Sequence, residues 1–191
     1  MATPSPAIPS FTDGLIVHQG DLNALASNLT NLYAYNQGGF RTQRPAVIAA
    51  TTATQSISPS SGTLVTFGTA SVNTDNMWTG STATQITINT AGIYWLFGQA
   101  RWPSISGANL NNGLVCNLLV NGLATANVVA TQTLPMLNLS PGATNQVGCI
   151  ANLAAGAVVY LDVYQNAVGS ITLQNDYGGS FLGAIFMTPS T

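Results

Sequence analysis

Lysine and glutamate are absent from this chain, and its whole formal charge is three Arg and five Asp among 191 residues. Charged residues make up 4% of the sequence, where a free-standing soluble domain carries about 25%. Three Arg cannot build the basic stripe that a nucleic-acid backbone requires, so DNA and RNA are excluded as partners. No apolar run approaches the ~20 residues of a membrane-spanning helix, so no membrane association is expected. The polar residues are instead Thr, Asn, Ser, Gln and Gly, which hydrate without charge. Such a surface is expected to be covered by other protein, as in an assembly component.

Catalytic chemistry is excluded on the same grounds. Without Glu or Lys, general acid–base work would fall on Asp13, Asp21, Asp75, Asp162 and Asp176, and no two of these are close in sequence. His18, the one histidine, is remote from the Asp residues of the C-terminal two thirds. It reads as a satisfied or solvent-facing side chain. Asp75 (in Asn73–Asn76) and Asp176 (in Gln174–Tyr177) are conceivable calcium ligands, but both sit where turns call for Asp and Asn. Neither an enzymatic activity, a metal nor a cofactor is expected. Two cysteines are too few for a disulfide framework, and Cys116 and Cys149 read as buried free thiols. The start of the chain, Met1–Pro6, has no basic or apolar signal region, so assembly in a cytoplasm is expected. On that expectation the sequon Asn28-Leu29-Thr30 is incidental.

What is present divides into three segments. Pro4, Pro6 and Pro9 forbid helix and favour an extended arm, with Ile8 and Phe11 available for docking. Asp21 is suited to cap a helix in which Leu22, Leu25, Leu29 and Leu32 recur at spacings of three and four, ended by Gly38-Gly39. A helix of about 15 residues is marginal alone, so these leucines pack either on a neighbouring domain or on copies of themselves around a symmetry axis. Residues 1–39 thus read as an arm and short helix. Residues 40–61 read as a connector, with a possible strand at 46–50, and residues 62–191 as an all-β domain. Strands are expected at Leu64–Phe67, Gln85–Asn89, Ile93–Trp102, Leu114–Val120, Val158–Tyr164 and Ser180–Met187. Short strands broken by Gly and Asn indicate a sandwich or barrel.

Four stretches, in order, carry a resemblance. Ile86–Phe97 places an Ala-Gly turn between an apolar strand and an apolar-Tyr-aromatic strand. Leu118–Gly122 ends a strand in Asn-Gly. Leu153–Leu161 has the form Leu-x-x-Gly-x-x-Val, with Ala157 departing from the usual Asp. Ser180–Phe186 is a closing Ser-Phe-x-Gly strand. Together they resemble the globular head of complement component one, subcomponent q, and its tumour-necrosis-factor-like relatives, over about residues 62–188. The resemblance implies a ten-stranded jelly roll that forms a homotrimer around an axis lined by aromatic and aliphatic side chains. Guided by it, Tyr94, Trp102, Tyr160 and Tyr164 are the expected axis residues.

Phe11-Thr12-Asp13-Gly14, Asp21-Leu22-Asn23 and the leucine helix after them look like the start of structural proteins of tailed bacteriophages. That likeness implies a virion protein assembled in the host cytoplasm. Its function would be that of a trimeric capsid decoration or head-fibre protein on the capsid surface, with the major capsid protein as partner. Pro4, Pro6, Ile8, Pro9, Phe11, Leu22, Leu25, Leu29 and Leu32 would be its anchor. The alternative is a minor tail or fibre-tip protein that meets a tail protein and recognises the host surface, with aromatics around Trp78 and the 104–112 loop at its tip.

Overall fold

Side chains alternate between buried and open along nearly every strand, as a two-layer sandwich requires. The structure is a computed structural model that describes residues 44–80, 83–104, 113–135, 142–167, 169–176 and 178–189. In chain order they form β1 (Ala46–Ala50), β2 (Gln55–Ile57), β3 (Thr63–Leu64), β4 (Thr69–Asn73), β5 (Gln85–Thr87) and β6 (Gly92–Trp102). There follow β7 (Gly113–Val120), β8 (Val128–Pro135), β9 (Ala143–Leu153), β10 (Val158–Gln165), β11 (Ile171–Leu173) and β12 (Phe181–Thr188). The first sheet has the order β4-β1-β12-β6-β9. The second runs β3-β10-β7-β8, with β5 also paired to β10. All of these pairings are antiparallel, and β2 and β11 form a separate two-stranded ribbon. This is the jelly-roll β-sandwich expected from the sequence. The expected arm and leucine helix, and His18, lie outside the described residues.

Two boundaries differ from expectation. The stretch 40–61 does not act as a connector: β1 lies inside the first sheet between β4 and β12, and β2 pairs with β11. Residues 43–191 form one compact unit, so the β domain begins well before residue 62. The physical reason is the alternation of Val47 and Ala49, both fully buried, with half-open Ala46, Ile48 and Ala50. The expected strand at Leu64–Phe67 is paired only over Thr63–Leu64. Val65 and Phe67 still point into the core, held by Val65 N–H to the Leu161 carbonyl and Phe67 N–H to the Ala83 carbonyl.

The four stretches behind the family resemblance all sit at structural junctions. Ala91-Gly92 leads into β6, Asn121-Gly122 follows β7, Gly156 turns β9 into β10 at φ 87°, and Ser180–Phe186 leads into β12. Between the sheets lies a core that includes Phe67, Met77, Ile88, Tyr94, Leu96, Trp102, Leu114, Leu118, Leu161 and Leu182. Cys116 and Cys149 are free thiols, the first buried and the second half-buried.

One buried amide ties the layers together. Asn145 of β9 has no exposed surface. Its Oδ1 accepts from Trp102 Nε1 at 3.2 Å, and its Nδ2 donates to the carbonyls of Leu114 at 2.9 Å and Gln132 at 3.2 Å. It thus links β9 and β6 of the first sheet to β7 and β8 of the second. Removing it strands a buried indole N–H, and a buried polar group left unsatisfied costs ~1–3 kcal/mol. Asn145→Ala is therefore expected to lower stability by about 3 kcal/mol, read as a shift in the urea midpoint at fixed protein concentration.

Candidate self-association surface

The phase of β6 decides which aromatics face outward. Tyr94, Leu96, Ala100 and Trp102 point into the core, while Ile93, Trp95, Phe97, Gln99 and Arg101 point away from it. This corrects two of the four expected axis residues. Tyr94 and Trp102 have no exposed surface within the single chain and are not available to a second copy. Their polar tips are satisfied internally, which is what permits the burial: Tyr94 Oη donates to the Thr90 carbonyl at 2.7 Å, and Trp102 Nε1 to Asn145. Tyr94 also packs edge-on against Phe186, with ring centroids 5.4 Å apart.

The outer face of the first sheet is built in rungs across five strands. One runs Val72, Ile48, Gly183, Phe97, Gly148, and the next Ala46, Ile185, Trp95, Ile150. A third runs Ala50, Phe181, Gln99, Gln146. Phe97 is flanked by glycine on both sides for a reason. A methyl group at Gly183 would clash with Phe97 Cζ at 2.2 Å, so the far end of the ring reaches over the bare backbone of β12. Trp95 and Phe97 pack with centroids 4.7 Å apart, and Phe181 meets Phe97 edge-on at 6.0 Å. These three rings, with Gly98, Gln146, Val147 and Gly148, line a depression of about 340 Å³.

Trp95 remains 47% exposed and Ile150 65%. An antiparallel sheet that faces water normally presents polar residues on that face. A contiguous apolar face of this kind marks an interface. It is bordered by the polar group at the far end of β6. Gln146 Nε2 donates to Gln99 Oε1 at 2.9 Å, and Gln99 Nε2 donates to the Gly179 carbonyl at 2.9 Å. Arg101 Nε lies 3.6 Å from Asp176 Oδ1, and its Nη1 reaches the carbonyls of Trp102 and Ala143. The candidate calcium ligands are both engaged within the chain: Asp176 with Arg101, and Asp75 Oδ2 as acceptor from Thr90 Oγ1 at 2.9 Å. Among the described residues no group of three or more His, Cys, Asp or Glu is placed to hold a metal.

Tyr160 and Tyr164, the other two expected axis residues, lie half-buried on the outer face of the second sheet, away from the aromatic cluster. Between them sits Asp162, which accepts from Asn117 Nδ2 at 3.1 Å. Burial pushes the Asp162 carboxyl above the ordinary carboxylate range, against the hydrogen bonds from Asn117 and the Thr63 backbone. Burial, with Asp162 nearby, pushes the Cys116 thiol up to about 12, and burial alone raises Cys149, so neither is poised as a thiolate. Trp78 of the suggested recognition tip is half-buried, its backbone bonded to the Asn73 side chain through both N–H and carbonyl. The anchor residues Pro4, Pro6, Ile8, Pro9, Phe11, Leu22, Leu25, Leu29 and Leu32, and the loop at 105–112, lie outside the described residues.

No family model and no curated protein matches the chain. Among solved structures it is similar to murine APRIL at pH 5.0, with TM-score 0.58 and 12% identity, covering 76% of this chain and 100% of that one. It is also similar to the globular domain of zebrafish complement 1qA protein, with TM-score 0.52 and 14% identity over 78% of this chain and 100% of that one. A second murine APRIL structure, at pH 8.0, gives TM-score 0.53 at 14% identity over 76% and 100%. At such identities the likeness is one of fold: the domain has the complement/tumour-necrosis-factor-like jelly roll.

The raised Asp162 carboxyl carries a stability prediction. The folded chain holds this proton more tightly than the unfolded chain, so at neutral pH the ionised group weighs against folding. Stability contributed by this site is expected to rise as pH falls from neutrality through the raised folded value, and to level off near the ordinary Asp value of about 4. Urea midpoints between pH 7 and pH 4 test this, and Asp162→Asn is expected to flatten that rise.

Proposed function

We propose that this chain is a non-enzymatic structural protein of a tailed bacteriophage, a homotrimer that decorates the capsid surface and stabilises it. The observation that carries the reading is the uncharged aromatic face of the first sheet, with Trp95, Phe97, Phe181 and Ile150 at its centre. Covering a large apolar side chain is worth about 1.5–3 kcal/mol, and threefold symmetry repeats each such contact. A chain with 4% charged residues has little else to keep this face solvated. Self-association through it, rather than through Tyr94, Trp102, Tyr160 and Tyr164, joins three jelly rolls about the axis. Residues 1–39 then fasten the trimer to the major capsid protein. Support for the capsid comes from the N-terminal pattern between Phe11 and Leu32, and from a composition suited to a surface that stays covered. The protein's work on this reading is mechanical, bridging neighbouring shell subunits.

The test is co-sedimentation of purified protein with capsids that lack it. The full chain is expected to bind in hundreds of copies per particle, and a chain without residues 1–39 to remain trimeric and stay in the supernatant. A truncated chain that still decorates capsids contradicts the anchor. A handful of copies per particle, seen by gel densitometry of virions, points to the tail in place of the capsid.

A further inference from the structure

The outer face of the second sheet is patterned in rows, with a carboxylate at its centre. Antiparallel register sets Tyr164, Val115 and Thr133 in one row across β10, β7 and β8, and Asp162, Asn117 and Thr131 in the next. A third row joins Tyr160 to Leu119. Opposed residues of antiparallel strands share a face, so a polar row lies between two rows that each begin in a tyrosine. Thr131 and Thr133 are exposed, and Tyr160, Asp162, Tyr164 and Asn117 are half-buried. Asp162 is the one charged residue on β3, β5, β7, β8 and β10, so no cation of this sheet pairs with it. Its Oδ2 accepts from Asn117 Nδ2 at 3.1 Å. On its other side Gly62 keeps the approach clear, since a methyl group there would stand 3.0 Å from Asp162 Oδ1.

A carboxylate in such a place is costly. Burial holds it above the ordinary range, and no ion pair within the sheet offsets that cost. A group that weighs against folding yet sits on an outer face marks a binding position. Its surroundings define the ligand's chemistry. Tyr160 and Tyr164 stand four residues apart on one strand, about 13 Å at a rise of about 3.3 Å per residue. The two rings therefore address separate parts of an extended ligand. Each offers an apolar body with a polar tip. Between them Asp162 accepts hydrogen bonds, while the Asn117 amide and the Thr131 hydroxyl both donate and accept. A sugar chain presents the matching alternation, flat C–H faces interrupted by rims of hydroxyls. With a carboxylate and no Arg on the sheet, an acidic sugar is repelled. We propose that the outer face of the second sheet binds a neutral, extended oligosaccharide along β10, with Tyr160 and Tyr164 stacking on sugar rings and Asp162, Asn117 and Thr131 bonding the hydroxyls between them. This face lies on the opposite side of the sandwich from Trp95 and Phe97, so self-association through the first sheet leaves it open. It stands independently of the capsid reading.

The experiment uses the full-length protein. A printed array of neutral and sialylated oligosaccharides is probed first, and the neutral oligosaccharide with the strongest signal is then titrated by calorimetry. The wild type is expected to bind neutral chains of several sugars in preference to monosaccharides and to sialylated chains. Asp162→Ala and Tyr164→Ala are each expected to lower affinity at least about tenfold. Thr131→Arg, at an exposed position, sets a guanidinium in the polar row beside Asp162 and is expected to abolish binding without loss of fold. Met187→Ala, on the first sheet, is expected to leave it unchanged. Urea midpoints and sedimentation verify folding and association of each variant. Absence of any neutral-sugar signal from the wild type, a preference for sialylated chains, or wild-type affinity in Asp162→Ala or Thr131→Arg overturns the site. Failure of the protein to bind capsids overturns the capsid reading and leaves this site standing.

Discussion

A sheet face that shows Trp95 and Ile150 to water is the constraint around which the rest of this molecule is arranged. The sandwich buries one side of each sheet in the ordinary way, but the other side of the first sheet is apolar across its width, from Val72 and Ile48 through Phe97 to Ile150. The chain carries too little charge to offset that exposure through solvation elsewhere. Shape and composition therefore converge on the same demand, which is to be covered. The glycines at 183 and 148 belong to this arrangement, because the first leaves room for the far end of the Phe97 ring and the second lines the depression between the rings.

The interior supports that face by being unusually well tied. Asn145 joins its own strand to three others through its side-chain amide, and Gln99 with Gln146 carries a second amide chain toward the Gly179 turn. Amides rather than ion pairs hold these points, in keeping with a sequence that has almost no cations to spend on them. A neutral amide keeps its bonding at all pH values, whereas Asp162, the one strand carboxylate among the described residues, works against folding when ionised.

Much of the sandwich was legible in the sequence. Val158–Gln165 alternates so cleanly that its two faces could be assigned, and the Ala-Gly, Asn-Gly and Gly156 turns marked strand ends. The strands at Val128–Pro135 and Ala143–Leu153 were not legible. Their Thr, Gln, Asn, Ala and Gly residues blur the period, and the inward set of β9 includes a polar residue, Asn145, whose three partners lie far away in sequence. The outward side of β6 was not legible for the opposite reason. From Ile93 to Phe97 every residue is apolar or aromatic, so alternation carries no information about which side is out. Expecting Tyr94 and Trp102 at the axis from the family resemblance missed that Thr90 and Asn145 satisfy their polar tips inside the core. The signal that marks the true outward set is the pairing of Phe97 with glycines on both neighbouring strands, which only the register reveals.

Sedimentation equilibrium of the purified full chain beside its Trp95→Asp variant tests the central claim most directly. The account predicts a wild-type mass three times the 19.7 kDa of one chain. It predicts dissociation in the variant, because a carboxylate held in that contact loses its hydration without a partner. A wild-type protein that stays a well-behaved monomer at high concentration, or a variant that associates as tightly as the wild type, would contradict it.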